Sequence, residues 1–275
     1  PELAENGRMW IPIPESDEFQ TVQAKSITIP GTHRMLTDKR YGNKVMFVEL
    51  TPADSGKSIS MVFDVKRHEK GVYGCGDKSP AEFLLPERLV PNTTEFKEIA
   101  TEALKNKRGG DLVKARALYD HTIDRMQYIK ADKKYGKGDA QYACDGGSGN
   151  CTDYHSYFIA LSRSVGIPAR FAIGAAIPSS RDDGGVNGYH CWAEFYAEGK
   201  WWPVDISEAD KYTSLATYYF GHNPANRIEL SRGRDLVVEP GPESGPINFL
   251  AYPVLEVNGK PVKVAKPKFG FTRKS

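Results

Sequence analysis

Along the first third of the chain, apolar and polar residues trade places at short range. TVQAKSITI at 21–29 alternates, and VMFVEL at 45–50 and ISMVFDV at 59–65 are short runs rich in β-branched and aromatic residues. Pro30-Gly31 and the DSG at 54–56 punctuate them, so residues 1–92 read as a small antiparallel β region. A proline-bounded connector at 80–91 then leads into a different period. With Thr94 as N-cap, Phe96, Ile99, Ala100, Ala103 and Leu104 share one helix face, and Gly109-Gly110 ends it. Asp111 caps a second helix striped by Leu112, Ala115, Tyr119, Ile123 and Met126. Residues 131–149 are polar and glycine-rich, with Lys133, Lys134 and Lys137, and read as a solvated loop. Helical spacing returns at Cys151, with Tyr154, Phe158, Leu161 and Val165 on one face, until Gly166 and Pro168 stop it. These three helices are expected to pack together, the first two around the third.

Alternation resumes after Arg170. A strand at 170–177 is followed by a polar loop at 178–188, then by an aromatic strand, GYHCWAEFY at 188–196. A two-residue turn, Gly199-Lys200, joins this to WWPVD at 201–205, and Pro203, which lacks an N–H, points to an edge or a strand end. Val237-Val238, 249–252, 254–257 and the Asn258-Gly259 hairpin signal place further strands near the end, before a basic, solvated tail at 266–275. The pattern gives an α+β chain divided at residue 92: a β-rich region at 1–92, then a core at 93–275 that ends in strands.

Chemistry concentrates in residues 149–205. Cys151 opens a helix after Gly146-Gly147-Ser148-Gly149-Asn150, where unpaired main-chain N–H groups and the helix dipole favour a thiolate. One such N–H is also available to a developing oxyanion. The hairpin returns Asp205 towards His190, where a carboxylate would fix the imidazole in one tautomer. Nucleophile, base and orienting group are therefore all present, as Cys151, His190 and Asp205.

Three motifs carry a resemblance: the Gly149-Asn150-Cys151 helix start running on to GIPAR at 166–170, His190-x-Trp192, and WPVD at 202–205. Together they resemble the transglutaminase-like superfamily, over roughly residues 94–232. GHN at 221–223 and GRD at 233–235 are similar to its bacterial members. The resemblance implies a papain-like core of helices on an antiparallel sheet, and a cysteine-dependent acyl transfer on peptide or protein carboxamides through a thioester. It implies Cys151 as nucleophile, His190 as base and Asp205 as orienting carboxylate. Gln141, Tyr142 and Trp192 are candidates for oxyanion or substrate contact. No cofactor and no metal are expected. The alternative is a non-catalytic module that grips peptide or glycan on the same fold. His155, one turn after Cys151, is an understudy for the base and otherwise a core residue.

A formal net charge of +2 gives no strong field, so nucleic acid is not an expected partner. No run of 18 apolar residues suggests a spanning helix. The start, PELAE, has neither an initiator Met nor signal-peptide character. A periplasmic or secreted location with the signal removed and a cytoplasmic one both stay open, as does the oligomeric state. The four cysteines, Cys75, Cys144, Cys151 and Cys191, lack the tight paired spacing of a zinc site. One thiol is expected to be reactive. A disulfide among Cys75, Cys144 and Cys191 stays open.

Overall fold

The computed structural model describes residues 3–74, 80–130, 133–264 and 267–274. It is α+β, and its residues group into two compact units. One comprises residues 1–68, 173–189 and 225–275, the other 69–172 and 190–224.

The first unit is built on a five-stranded antiparallel sheet. Its order is Lys260–Val262, Val254–Val257, Gly7–Ile13, Lys44–Leu50, Thr32–Thr37. Gly7–Ile13 was not visible as a strand because it is buried on both faces and so lacks alternation. Met9, Ile11 and Ile13 join one apolar cluster with Val48 and Leu255, while Trp10 joins another with Phe47, Leu236 and Leu250. A long ribbon, Gln20–Thr28 with Ser60–Arg67, completes the β region that the alternation predicts. The loop at 178–188 and the tail are less free than expected. Asp183–Gly185 pairs with Gly270–Thr272, and the Arg273 guanidinium donates to the Pro178 carbonyl at 3.0 Å.

The second unit surrounds one helix. Helices α1 (Thr94–Ala103), α2 (Asp111–Arg125), α3 (Ala140–Gly146) and α5 (Ile206–Lys211) pack on α4 (Cys151–Ser164), which also lies against the strand His190–Ala197. Covered on all sides, α4 is buried at every residue from 151 to 163 rather than along one stripe. Burying Tyr154, Phe158 and Leu161 contributes about 1.5–3 kcal/mol each. Its buried Arg163 is satisfied by the Ala169 carbonyl at 2.9 Å and by Glu87 at 3.0 Å. The cap of α1 is Thr93, one residue before the expected Thr94, and its side chain accepts from Phe96 N–H. Helix α3 falls inside the stretch expected to be loop, capped by Asp139, whose carboxylate accepts from the N–H groups of Gln141 and Tyr142.

Strand His190–Ala197 forms the predicted hairpin with Lys200–Val204, registered Ala193↔Val204 to Ala197↔Lys200. The turn is Glu198-Gly199, both at positive φ (52° and 76°), one residue earlier than the sequence suggested. Beyond the hairpin lies Tyr73–Gly74, paired with Lys200 and Trp201, so Pro203 sits past the end of that ladder. No helix among the described residues is long and apolar enough to cross a membrane.

Candidate active site

The start of α4 is fixed by a reciprocal cap. Asn150 Oδ1 accepts from Thr152 N–H at 2.9 Å, and Asp153 Oδ2 accepts from Asn150 N–H at 2.9 Å. Asp153 also takes the N–H groups of Gly136 (2.8 Å) and Gly138 (3.1 Å), tying the preceding loop to the helix. Residue 149 must be glycine for this to happen, since a Cβ there would lie 2.4 Å from that of Asp153. The glycine run thus lets a carboxylate close the turn that presents Cys151.

His190 and Asp205 arrive on the two arms of the hairpin. His190 Nε2–H donates to Asp205 Oδ2 at 2.6 Å, which leaves Nδ1 for a second partner. Asp205 is itself held: it caps α5 by accepting from Glu208 N–H, and the Ser207 hydroxyl donates to its Oδ1 at 3.2 Å. Burial works against a charged His190, but the Asp205 carboxylate and the Cys151 sulfur raise its pKa to about 9. Cys151 is pushed well below the ordinary thiol range, first by a hydrogen bond from Cys191, then, against burial, by His190. Both shifts favour the charged forms, a thiolate and an imidazolium. Such a pair can attack an electrophilic carbonyl and return a proton to the departing group.

His155 is not free to act as a base. Its Nε2 accepts from Ile206 N–H at 3.0 Å and its Nδ1 donates to the Cys151 carbonyl at 2.6 Å. Burial lowers its pKa, so it is a neutral prop under the first turn of α4.

A family model described as the transglutaminase-like superfamily matches residues 94–206, which span α1 through Cys151 and His190 to the residue after Asp205. An uncharacterized protein of Haemophilus influenzae is 30% identical over an alignment of 310 residues, covering 94% of this chain and 83% of that protein. The chain belongs to the transglutaminase-like superfamily. The crystal structure of a candidate cysteine protease from Cytophaga hutchinsonii superposes with a TM-score of 0.63, at 15% identity, covering 99% of this chain and 94% of that one. It shares the fold.

Of the remaining residues expected at this transglutaminase-like site, Trp192 lies next to it. Its ring is 6.4 Å from that of His190, and its buried Nε1 finds no partner among the described residues. Gln141 and Tyr142 are on α3. The Gln141 amide is engaged by Glu95 Oε2 (3.0 Å) and Asp145 Oδ1 (2.8 Å) instead of reaching Cys151. These two carboxylates and the Cys144 thiol place ligand atoms within 4.8 Å of one another, an arrangement that could hold a metal ion. Cys144, Cys151 and Cys191 are unpaired thiols, and Cys75 lies outside the described residues.

Sequence reasoning missed Tyr128. The two-residue strands Gln127–Tyr128 and Ser148–Gly149 pair in parallel, with Tyr128 opposite Gly149, two residues before the thiol. The backbone N–H of Cys151 is one of the groups that act on the Tyr128 hydroxyl. Its ring lies under Lys211 Nζ at 3.9 Å and 6.0 Å from the Tyr154 ring. Burial, then the charge on Cys151, raises its pKa, so it stays a neutral phenol.

Proposed function

We propose that this transglutaminase-like chain catalyses cysteine-dependent acyl transfer on peptide or protein carboxamides, with Cys151, His190 and Asp205 as its triad. The observation that carries the reading is His190, held by Asp205 through Nε2 at 2.6 Å, with its pKa raised by the Asp205 carboxylate and the Cys151 sulfur against burial. The thiolate adds to the carboxamide carbonyl. The negative charge that forms on oxygen is received by the Cys151 N–H and by the Tyr128 hydroxyl, which lies opposite Gly149 two residues before the thiol. His190 protonates the departing amine, the C–N bond breaks, and a thioester remains on Cys151. An incoming water or amine then gives its proton to His190 and releases the acyl group as acid or new amide. The designation of the Cytophaga hutchinsonii protein as a candidate protease names the water branch. The same triad serves the amine branch.

The test is turnover of a glutamine-containing peptide panel, with and without a primary amine. Cys151→Ala and His190→Ala are each expected to lose at least ~1,000-fold in kcat, and the double variant to be little worse, because the two act as a unit. Activity of His190→Ala within about tenfold of the unaltered protein would remove His190 from the mechanism.

A further inference from the structure

A single buried imidazole touches the chain at or beside each member of the triad. His155 is fully buried on α4, one turn after Cys151. Its Nδ1 lies 2.6 Å from the Cys151 carbonyl and 3.6 Å from Sγ of Cys191, the residue after His190. Its Nε2 lies 3.0 Å from the N–H of Ile206, the residue after Asp205. The main chain dictates the direction of these bonds. A carbonyl only accepts, so Nδ1 carries the proton; a main-chain N–H only donates, so Nε2 is bare. Asp205 Oδ1, 3.8 Å from Nε2, is too far to draw the proton to that side. One neutral tautomer therefore satisfies both main-chain partners, while Nδ1–H also faces the Cys191 sulfur.

The three partners belong to three segments: the first turn of α4, the strand His190–Ala197 and the first turn of α5. The Ile206 bond also relieves Asp205. The first N–H groups of a helix have no partner within it. His155 takes that of Ile206, and Asp205 Oδ1 takes that of Glu208 at 3.2 Å, which leaves Oδ2 for His190. We propose that His155 is the positioning residue of the triad, a hub whose two ring nitrogens hold the segments of Cys151, His190 and Asp205 in one register. The proposal rests on those three residues being the triad.

Nitrogen-15 NMR of the whole chain reads the tautomer, with the His155 signals assigned by their loss in His155→Gln. Nδ1 should be protonated and Nε2 bare, and the reverse pattern overturns the proposal. Three variants then separate holding from filling. His155→Asn brings an amide near the place of Nδ1 and keeps a donor for the Cys151 carbonyl. His155→Gln reaches the place of Nε2 and keeps an acceptor for Ile206. His155→Phe keeps a ring and neither bond. Each is measured by thermal unfolding, by iodoacetamide labelling of Cys151 at about pH 6, and by turnover of the glutamine-containing peptides. His155→Phe should lose about 100-fold in kcat with KM within about threefold, since a misplacement of about 1 Å costs that much. Its Cys151 should label about tenfold more slowly. His155→Asn and His155→Gln should each lose about tenfold in kcat. A side chain that merely fills the core ranks the other way, with Phe nearest the unaltered protein and Asn, the smallest, furthest from it. That order overturns the proposal, as do rates that only follow the melting temperature. Should His155→Phe fail to fold, His155→Asn and His155→Gln decide, and rates within about twofold of the unaltered protein in both overturn it. If Cys151 of the unaltered protein labels no faster than Cys144, the acyl-transfer reading itself has failed; if it labels first and the variants match it, only the role of His155 has.

Discussion

The end of α3 and the start of α4 each carry a buried cysteine, seven residues apart, and they have opposite character. Cys144 sits in the last turn of α3, where main-chain carbonyls accumulate, and its Sγ lies 3.8 Å from Glu95 Oε1. Burial, then Glu95 and Asp145, push its thiol up to about 11. Cys151 occupies the first turn of α4 and is pushed well down by Cys191 and, against burial, by His190. Both are buried, so burial alone does not decide reactivity. Which end of a helix a thiol occupies, and the charge of its nearest partner, reverse the outcome.

The largest effect expected from this contrast is a selectivity between the two thiols. At about pH 6, iodoacetamide should modify Cys151 at least ~100-fold faster than Cys144, since only a thiolate reacts. Comparable rates for the two would break the comparison at once.

A smaller effect concerns the upper end of the active pH range. In the proposed mechanism His190 carries the proton that goes to the leaving group, so kcat/KM should fall as pH rises through about 9. The same shift bears on stability. The folded-state pKa lies above the ordinary value of 6.5, so the contribution of protonated His190 is complete below about 6.5 and is lost as pH rises through about 9. Asp205→Asn keeps an acceptor for Ser207 and the Glu208 N–H but removes the carboxylate charge that raises His190. The alkaline limb should therefore move down towards neutrality, with roughly a tenfold or greater loss of kcat/KM at about pH 8. A limb that stays near its original position would show that Asp205 does not set the charge of His190.

How much of this was legible in the sequence depends on the range of each interaction. The start of α4 could be read because a glycine run meets an apolar helical period at Cys151. The approach of Asp205 to His190 could be read because a two-residue turn fixes the register of a hairpin, even with the turn misplaced by one residue. Helix α3 was hidden because its buried positions, Ala140, Ala143 and Cys144, are small and leave a weak apolar signal among polar neighbours. Tyr128 was hidden for a different reason: its place comes from a two-residue parallel bridge between segments about twenty positions apart, and no local period encodes such a partner. The same holds for Gly7–Ile13 against Val254–Val257, a pairing of the two ends of the chain.

The smallest effect concerns Cys144 alone and separates burial from charge within the contrast. Of the causes that raise this thiol, burial is the largest and the Glu95 carboxylate the next. Glu95→Gln removes the charge and leaves the shape. The Gln141 amide, which donates to Glu95 Oε2 at 3.0 Å, still finds a carbonyl oxygen there, so the contact between α1 and α3 should persist. Because burial is unchanged, the Cys144 thiol should come down only part of the way from about 11. Its alkylation at about pH 8.5 should rise only about two- to threefold, since the gain in thiolate is partly offset by weaker nucleophilicity. Cys151 has a different set of partners and should label at its original rate in the same sample, which gives an internal reference. A rise of tenfold or more at Cys144 would make charge, not burial, the main cause of its inertness. No rise at all would uncouple Glu95 from the thiol.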